Sequence, residues 1–102
     1  MNKFEIVTGN EKNKHVGVSI FKEEEGIYKI HLNILPNVTY FMQKNKSGSA
    51  LTIFSRKVKT GTETKLLNPV GYGRILKDLK THMQLHFEVL NTNLYMSLFP
   101  KA

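Results

Sequence analysis

His82-Met83-Gln84-Leu85-His86-Phe87-Glu88-Val89-Leu90-Asn91-Thr92-Asn93-Leu94-Tyr95-Met96-Ser97-Leu98-Phe99-Pro100 is the stretch on which the fold turns. Met83, Leu85, Phe87 and Val89 alternate with His82, Gln84, His86 and Glu88. That is the two-residue period of a strand with one buried face. Asn91-Thr92-Asn93 follows, and Asn tolerates the left-handed backbone of a tight turn, so the chain is expected to reverse there. Leu94, Met96 and Leu98 then alternate with Tyr95, Ser97 and Phe99. Pro100 closes the segment because it has no N–H to offer a neighbouring strand. The stretch predicts an antiparallel β-hairpin with Met83, Leu85, Phe87 and Val89 buried.

Working back from the hairpin, Lys77–Thr81 is a connection, with one helical turn over Arg74–His82 left open. Leu66–Leu76 is interrupted by Pro69, Gly71 and Gly73, which predicts an irregular strand with a bulge or sharp bend. Lys59–Lys65 is polar and reads as a loop tip. Ala50–Val58 is a strand carrying Leu51, Ile53 and Phe54, preceded by a basic connection over Asn45–Ser49 and a strand over Val38–Lys44. Pro36-Asn37 signals a turn. Ile27–Leu35 is a strand with Tyr28, Ile30, Leu32 and Ile34 inward and Lys29, His31 and Asn33 outward. Lys22–Gly26 turns the chain into it, Gly26 supplying a positive φ. Before it, Val16, Val18 and Ile20 lie on one side of a strand and Ser19 and Phe21 on the other. Lys3–Thr8 is a first short strand with Phe4 and Ile6 on one face. About seven short strands without a long helix predict an all-β domain, a small antiparallel barrel or sandwich of OB-like shape.

The 102 residues suffice for one domain, 1–102, with a modest core drawn from a 40% hydrophobic composition. There is no Cys, which rules out disulfides and thiolate metal sites and suits a reducing compartment. Glu5, Asn10 and Glu11 interrupt any leader-like apolar run. No stretch approaches the ~20 apolar residues of a membrane-spanning helix. A soluble, cytoplasmic protein without membrane contact is the expectation.

The net charge is +7 and is unevenly placed. Lys44, Lys46, Arg56, Lys57, Lys59, Lys65, Arg74, Lys77 and Lys80 are opposed within that segment only by Glu63 and Asp78, an excess equal to the charge of the whole chain. Such a block points to a polyanionic partner. Codon bias in an AT-rich genome would produce the same lysines without any partner.

Catalysis finds little support. No Ser lies in a G-x-S-x-G elbow, no thiol is present, and the carboxylates are few and scattered. His82 and His86 would stand about 13 Å apart on one strand face at roughly 3.3 Å per residue, too far to ligate one zinc. No enzyme activity, metal or cofactor is therefore expected. Gly71-Tyr72-Gly73 lacks the helix and spacing of a nucleotide loop and fits a strand where backbones approach closely.

The aromatics add to the charge. Tyr40 and Phe41 are adjacent, so opposite faces take one each. Phe54 shares a strand face with Arg56, and Tyr72 sits between two glycines beside Arg74. An exposed aromatic two residues from a guanidinium combines stacking with charge, as single-stranded nucleic acid requires. Against this, Phe54 and Tyr40 are equally readable as core. The expected function is a non-enzymatic module for single-stranded DNA or RNA, with Lys44, Lys46, Arg56, Lys57, Lys59, Arg74 and Lys77 on phosphates and Tyr40, Phe54 and Tyr72 as stacking faces. The alternative is a small phage or plasmid accessory or inhibitor protein, its basic face set against an acidic host protein. A homo-oligomer built on an exposed edge at Leu94–Phe99 is a third class.

Val16-Gly17, Gly26-Ile27-Tyr28, Leu32-Asn33, Ile53-Phe54, Val70-Gly71-Tyr72-Gly73, Met83–Phe87 and Tyr95-Met96-Ser97-Leu98-Phe99 occur in an order that resembles a family of small all-β proteins of proteobacterial conjugative plasmids and related mobile elements. The resemblance covers most of the chain from Val16 onward and implies a mobile-element setting rather than a mechanism. Arg74 stands where that family has Trp, and this chain has no Trp, so no stacking role carries over to that position.

Overall fold

The computed structural model describes residues 2–9, 14–46, 48, 50–88 and 90–100. They form eight strands: β1 (Asn2–Val7), β2 (His15–Lys22), β3 (Ile27–Leu32), β4 (Thr39–Lys44), β5 (Leu51–Thr60), β6 (Glu63–Ile75), β7 (His82–Phe87) and β8 (Thr92–Ser97). Each pairs with the next, and β1 pairs with β8, so the sheet closes into a barrel in chain order. The small antiparallel barrel is the expected class. Its up-and-down order is simpler than the Greek key of an OB-fold. There are eight strands rather than seven. No helix among the described residues is long and apolar enough to cross a membrane.

Phe4, Ile6, Ile30, Leu32, Tyr40, Met42, Leu51, Ile53, Met83, Leu85, Phe87, Leu94 and Met96 form one cluster inside the barrel. The strands β2 and β6 contribute no large side chain to it. Gly17 and Ser19 on β2, and Gly71 and Gly73 on β6, are the buried positions there. An added Cβ at Gly73 would lie 2.8 Å from Met42 Sδ, and one at Gly71 would lie 2.0 Å from the His86 carbonyl oxygen. Small residues on two strands thus make room for the long side chains of the others, the usual way a narrow barrel is filled. On β2 the buried side is the one holding Ser19, with half-buried Phe21; the Ser19 hydroxyl has no hydrogen-bond partner.

The hairpin that anchors the sequence reading is β7–β8. Met83, Leu85, Phe87, Leu94 and Met96 are buried; Val89 lies outside the described residues. The turn takes in Glu88, Leu90 and Asn91, earlier than Asn91–Asn93, and Asn91 takes the positive φ, 48°. Leu94–Phe99 is not a free edge, since β8 pairs with β7 along its length and with β1 through Ile6↔Met96 and Val7↔Tyr95. Among the described residues those two pairs make up the β1–β8 seam.

Two other expectations need correction, and one open possibility is decided. Ile34 does not point inward; it is 65% exposed, because β3 stops at Leu32 and the chain turns, Leu35 N donating to the Leu32 carbonyl. No helical turn forms over Arg74–His82, where β6 and β7 flank a turn at Lys77-Asp78. The Lys59–Lys65 segment is ladder rather than loop, since β5 and β6 stay paired out to Thr60↔Glu63.

The bulge foreseen near Pro69 interrupts the β5–β6 register between Ile53 and Phe54, with Asn68 at φ 65°. Beyond it β5 has lost β4, whose last partner is Phe54, and β6 has not yet met β7, whose pairing starts at Gly71. The outer halves of β5 and β6 therefore form a two-stranded arm, closed at Gly61-Thr62 with Gly61 at φ 62°, as a type II′ turn requires at its first central residue. The arm leans on the barrel. Lys57 Nζ lies 5.5 Å from the centroid of the Phe41 ring on β4 and 3.3 Å from Glu25 Oε2 in the β2–β3 turn.

Candidate nucleic-acid interface

Residues opposite each other in an antiparallel pair share a face. Between inward Gly71 and Gly73, Tyr72 must point outward, and Arg74 follows it on the same side. Register carries the row across the wall as Gln43, Thr52, Tyr72, His86 and Asn93 on β4 to β8. The next row holds Arg74, Gln84 and Tyr95.

These side chains brace one another. The Tyr72 ring, 38% exposed, stacks on the His86 imidazole with centroids 5.1 Å apart and planes at 26°. The Arg74 guanidinium carbon is 5.6 Å from the Tyr72 centroid, and Arg74 Nε donates to Gln84 Oε1 at 3.0 Å. His86 Nδ1 donates to Asn93 Oδ1 at 2.9 Å. An aromatic ring, an imidazole and a guanidinium are thus fixed side by side on the outer wall. That arrangement can stack a planar base and pair a phosphate.

Chain direction alternates from strand to strand, so the β4–β5 and β6–β7 connections leave the same end of the barrel. Lys44 ends β4, Lys46 lies on the first connection and Lys77 and Lys80 lie on the second, all exposed. With Arg74 they make five cations, with Asp78 the acid in those segments.

The remaining expected site residues are elsewhere. Tyr40 is 7% exposed and edge-on to Phe87 inside the barrel, so it has no face for a ligand and leaves the stacking set. Phe54 points outward but is half-buried, paired with Phe41 and Pro69. Arg56, Lys57 and Lys59 are on the arm. Arg56 and Lys59 are exposed, whereas Lys57 is half-buried against Glu25. The basic block is therefore two groups, and the arm's share is opposed by the acidic β2–β3 turn, some thirty residues away in the chain. His86, Gln84 and Asn93 are not among the binding residues expected from the sequence, because only the register brings them to Tyr72 and Arg74. Among the described residues, no three His, Asp or Glu side chains form a metal-holding group. No family model matches the chain, and no curated protein or solved structure does either.

Proposed function

We propose that the chain binds single-stranded nucleic acid, DNA or RNA, on the outer wall of β4 to β8, and that it is a binding module rather than an enzyme. The observation that carries this reading is the braced Tyr72–His86–Arg74 group, exposed beside the lysines of the β4–β5 and β6–β7 connections. Bases stack on Tyr72 while Lys44, Lys46, Arg74 and Lys77 neutralise phosphates. Four phosphate contacts give a log–log salt slope of about −2.8 for a single strand, so moving from 50 to 200 mM salt weakens binding roughly 50-fold.

Fluorescence anisotropy with labelled poly-dT and poly-rU at several salt concentrations tests it. Arg74→Ala is expected to flatten the slope by about 0.7. Tyr72→Ala is expected to weaken binding by ~1–3 kcal/mol at nearly unchanged slope, because stacking releases no counterions. Absence of binding to every oligonucleotide at 50 mM salt removes the nucleic-acid reading.

A further inference from the structure

The cross-strand pairs Lys57↔Leu66 and Lys59↔Thr64 put Lys57, Lys59 and Thr64 on one face of the arm. That face meets the Glu23-Glu24-Glu25 turn. Glu25 Oε2 accepts from Lys57 Nζ at 3.3 Å and from Thr64 Oγ1 at 3.3 Å, and Oε1 lies 3.4 Å from the same ammonium. Lys59 adds its charge to the field at that carboxylate. Beside it, Glu24, Glu25, Lys59, Thr62 and Thr64 border a hollow of about 370 Å³. A simple tether between arm and turn would need a single ion pair. Here an ammonium and a hydroxyl hold one singly charged oxyanion, and a second ammonium, that of Lys59, belongs to the residues bordering the hollow beside it, together a donor set that a phosphodiester also takes.

We propose that Lys57, Lys59 and Thr64 form a second phosphate-binding site, occupied in this structure by the Glu25 carboxylate as an internal phosphate mimic, so that the acidic turn restrains polyanion binding by the arm. This rests on the nucleic-acid reading above and extends it to a surface separate from Tyr72. The occupant is replaceable: both partners of the Lys57–Glu25 pair keep about a fifth of their side-chain surface in water, and such pairs are weak and screened by salt. A strand already held at the Tyr72 wall would add phosphates on the arm by displacing Glu25.

Glu25→Gln tests this, since it keeps the size and an acceptor for Thr64 but removes the charge. Wild type and variant are titrated with labelled poly-dT across 50–200 mM salt, and with inorganic pyrophosphate while the Lys59 and Thr64 amides are followed by NMR. The variant is expected to bind poly-dT more tightly at 50 mM salt, with a slope steeper by about 0.7–1.4 units, one or two added phosphates. Pyrophosphate is expected to shift both amides in the variant at concentrations that leave the wild type unmoved. If poly-dT binds the wild type but the variant matches it in slope and affinity, the second site is refuted and the Tyr72 wall stands. If neither protein binds poly-dT, the nucleic-acid reading fails, and the pyrophosphate titration alone decides the site. Should Glu25→Gln lose the fold by circular dichroism, Glu24→Gln, an exposed position outside the ion pair, carries the same readouts with a smaller shift in the same direction.

Discussion

Phe87 is 2% exposed and meets Tyr40 edge-on at a centroid distance of 5.2 Å, a geometry that adds to the burial of both rings. Truncation leaves a hole in a barrel too narrow to collapse around it. Phe87→Ala is expected to cost ~3–5 kcal/mol by denaturant unfolding; a loss under about 1 kcal/mol would mean that Phe87 faces outward. At this scale the sequence was informative wherever apolar and polar residues alternated. Tyr40 and Phe41 show the limit. Adjacency puts one in and one out, but the choice depends on Tyr40 pairing with inward Ile30, which no local pattern reveals. Gly71 and Gly73 were legible as a close approach, whereas the atoms they make room for, Met42 Sδ and the His86 carbonyl, come from strands distant in the chain.

The arm was the least legible element. Its residues form a ribbon outside the core, so no apolar period marks them, and Lys59–Lys65 has the composition of a loop. Only the II′ turn at Gly61 and the ladder beyond the bulge make it a hairpin. Its docking depends on charge and so on pH. Burial by itself would raise the Glu25 carboxyl above 4.5, but the hydrogen bond and charge of Lys57, then Thr64 and Lys59, outweigh it and hold the group below that value. A carboxylate lowered in the folded state contributes stability above its unfolded pKa and loses it as pH falls through the folded one. The contact is therefore expected to persist at neutral pH and to loosen only in acid, below about pH 4.5. The Lys57 side-chain protons, which the Phe41 ring 5.5 Å from Nζ is expected to shift upfield, report this by NMR. They should move toward random-coil positions in acid, and a transition centred near neutrality would contradict the assignment to Glu25. The same long-range contact explains why the site was only partly readable. Tyr72 and Arg74 lie two residues apart in sequence, but the acid that pairs with Lys57 belongs to a turn two strands earlier.

For the whole molecule, every strand pairing but one among the described residues joins neighbours in sequence, across connections of two to seven residues. The exception is the β1–β8 seam, two residue pairs that join nearly opposite ends of the chain. Sequence-local hairpins cost little loop entropy, whereas joining distant strands costs more and is repaid here by few ladder bonds. Native-state hydrogen exchange is expected to show the facing amides of β1 and β8 opening at a free energy well below that of the β6–β7 amides. Equal protection on both sides would contradict this. The wall therefore behaves as a slit cylinder. The row through Tyr72 ends at Asn93 on β8, the row through Arg74 reaches Tyr95 and its partner Val7 across the slit, and Tyr72, His86 and Arg74 themselves all lie on β6 and β7, to one side of it. A strand lying on that wall is expected to stiffen the panel it touches, slowing exchange in β6 and β7, while the slit goes on opening at its own rate.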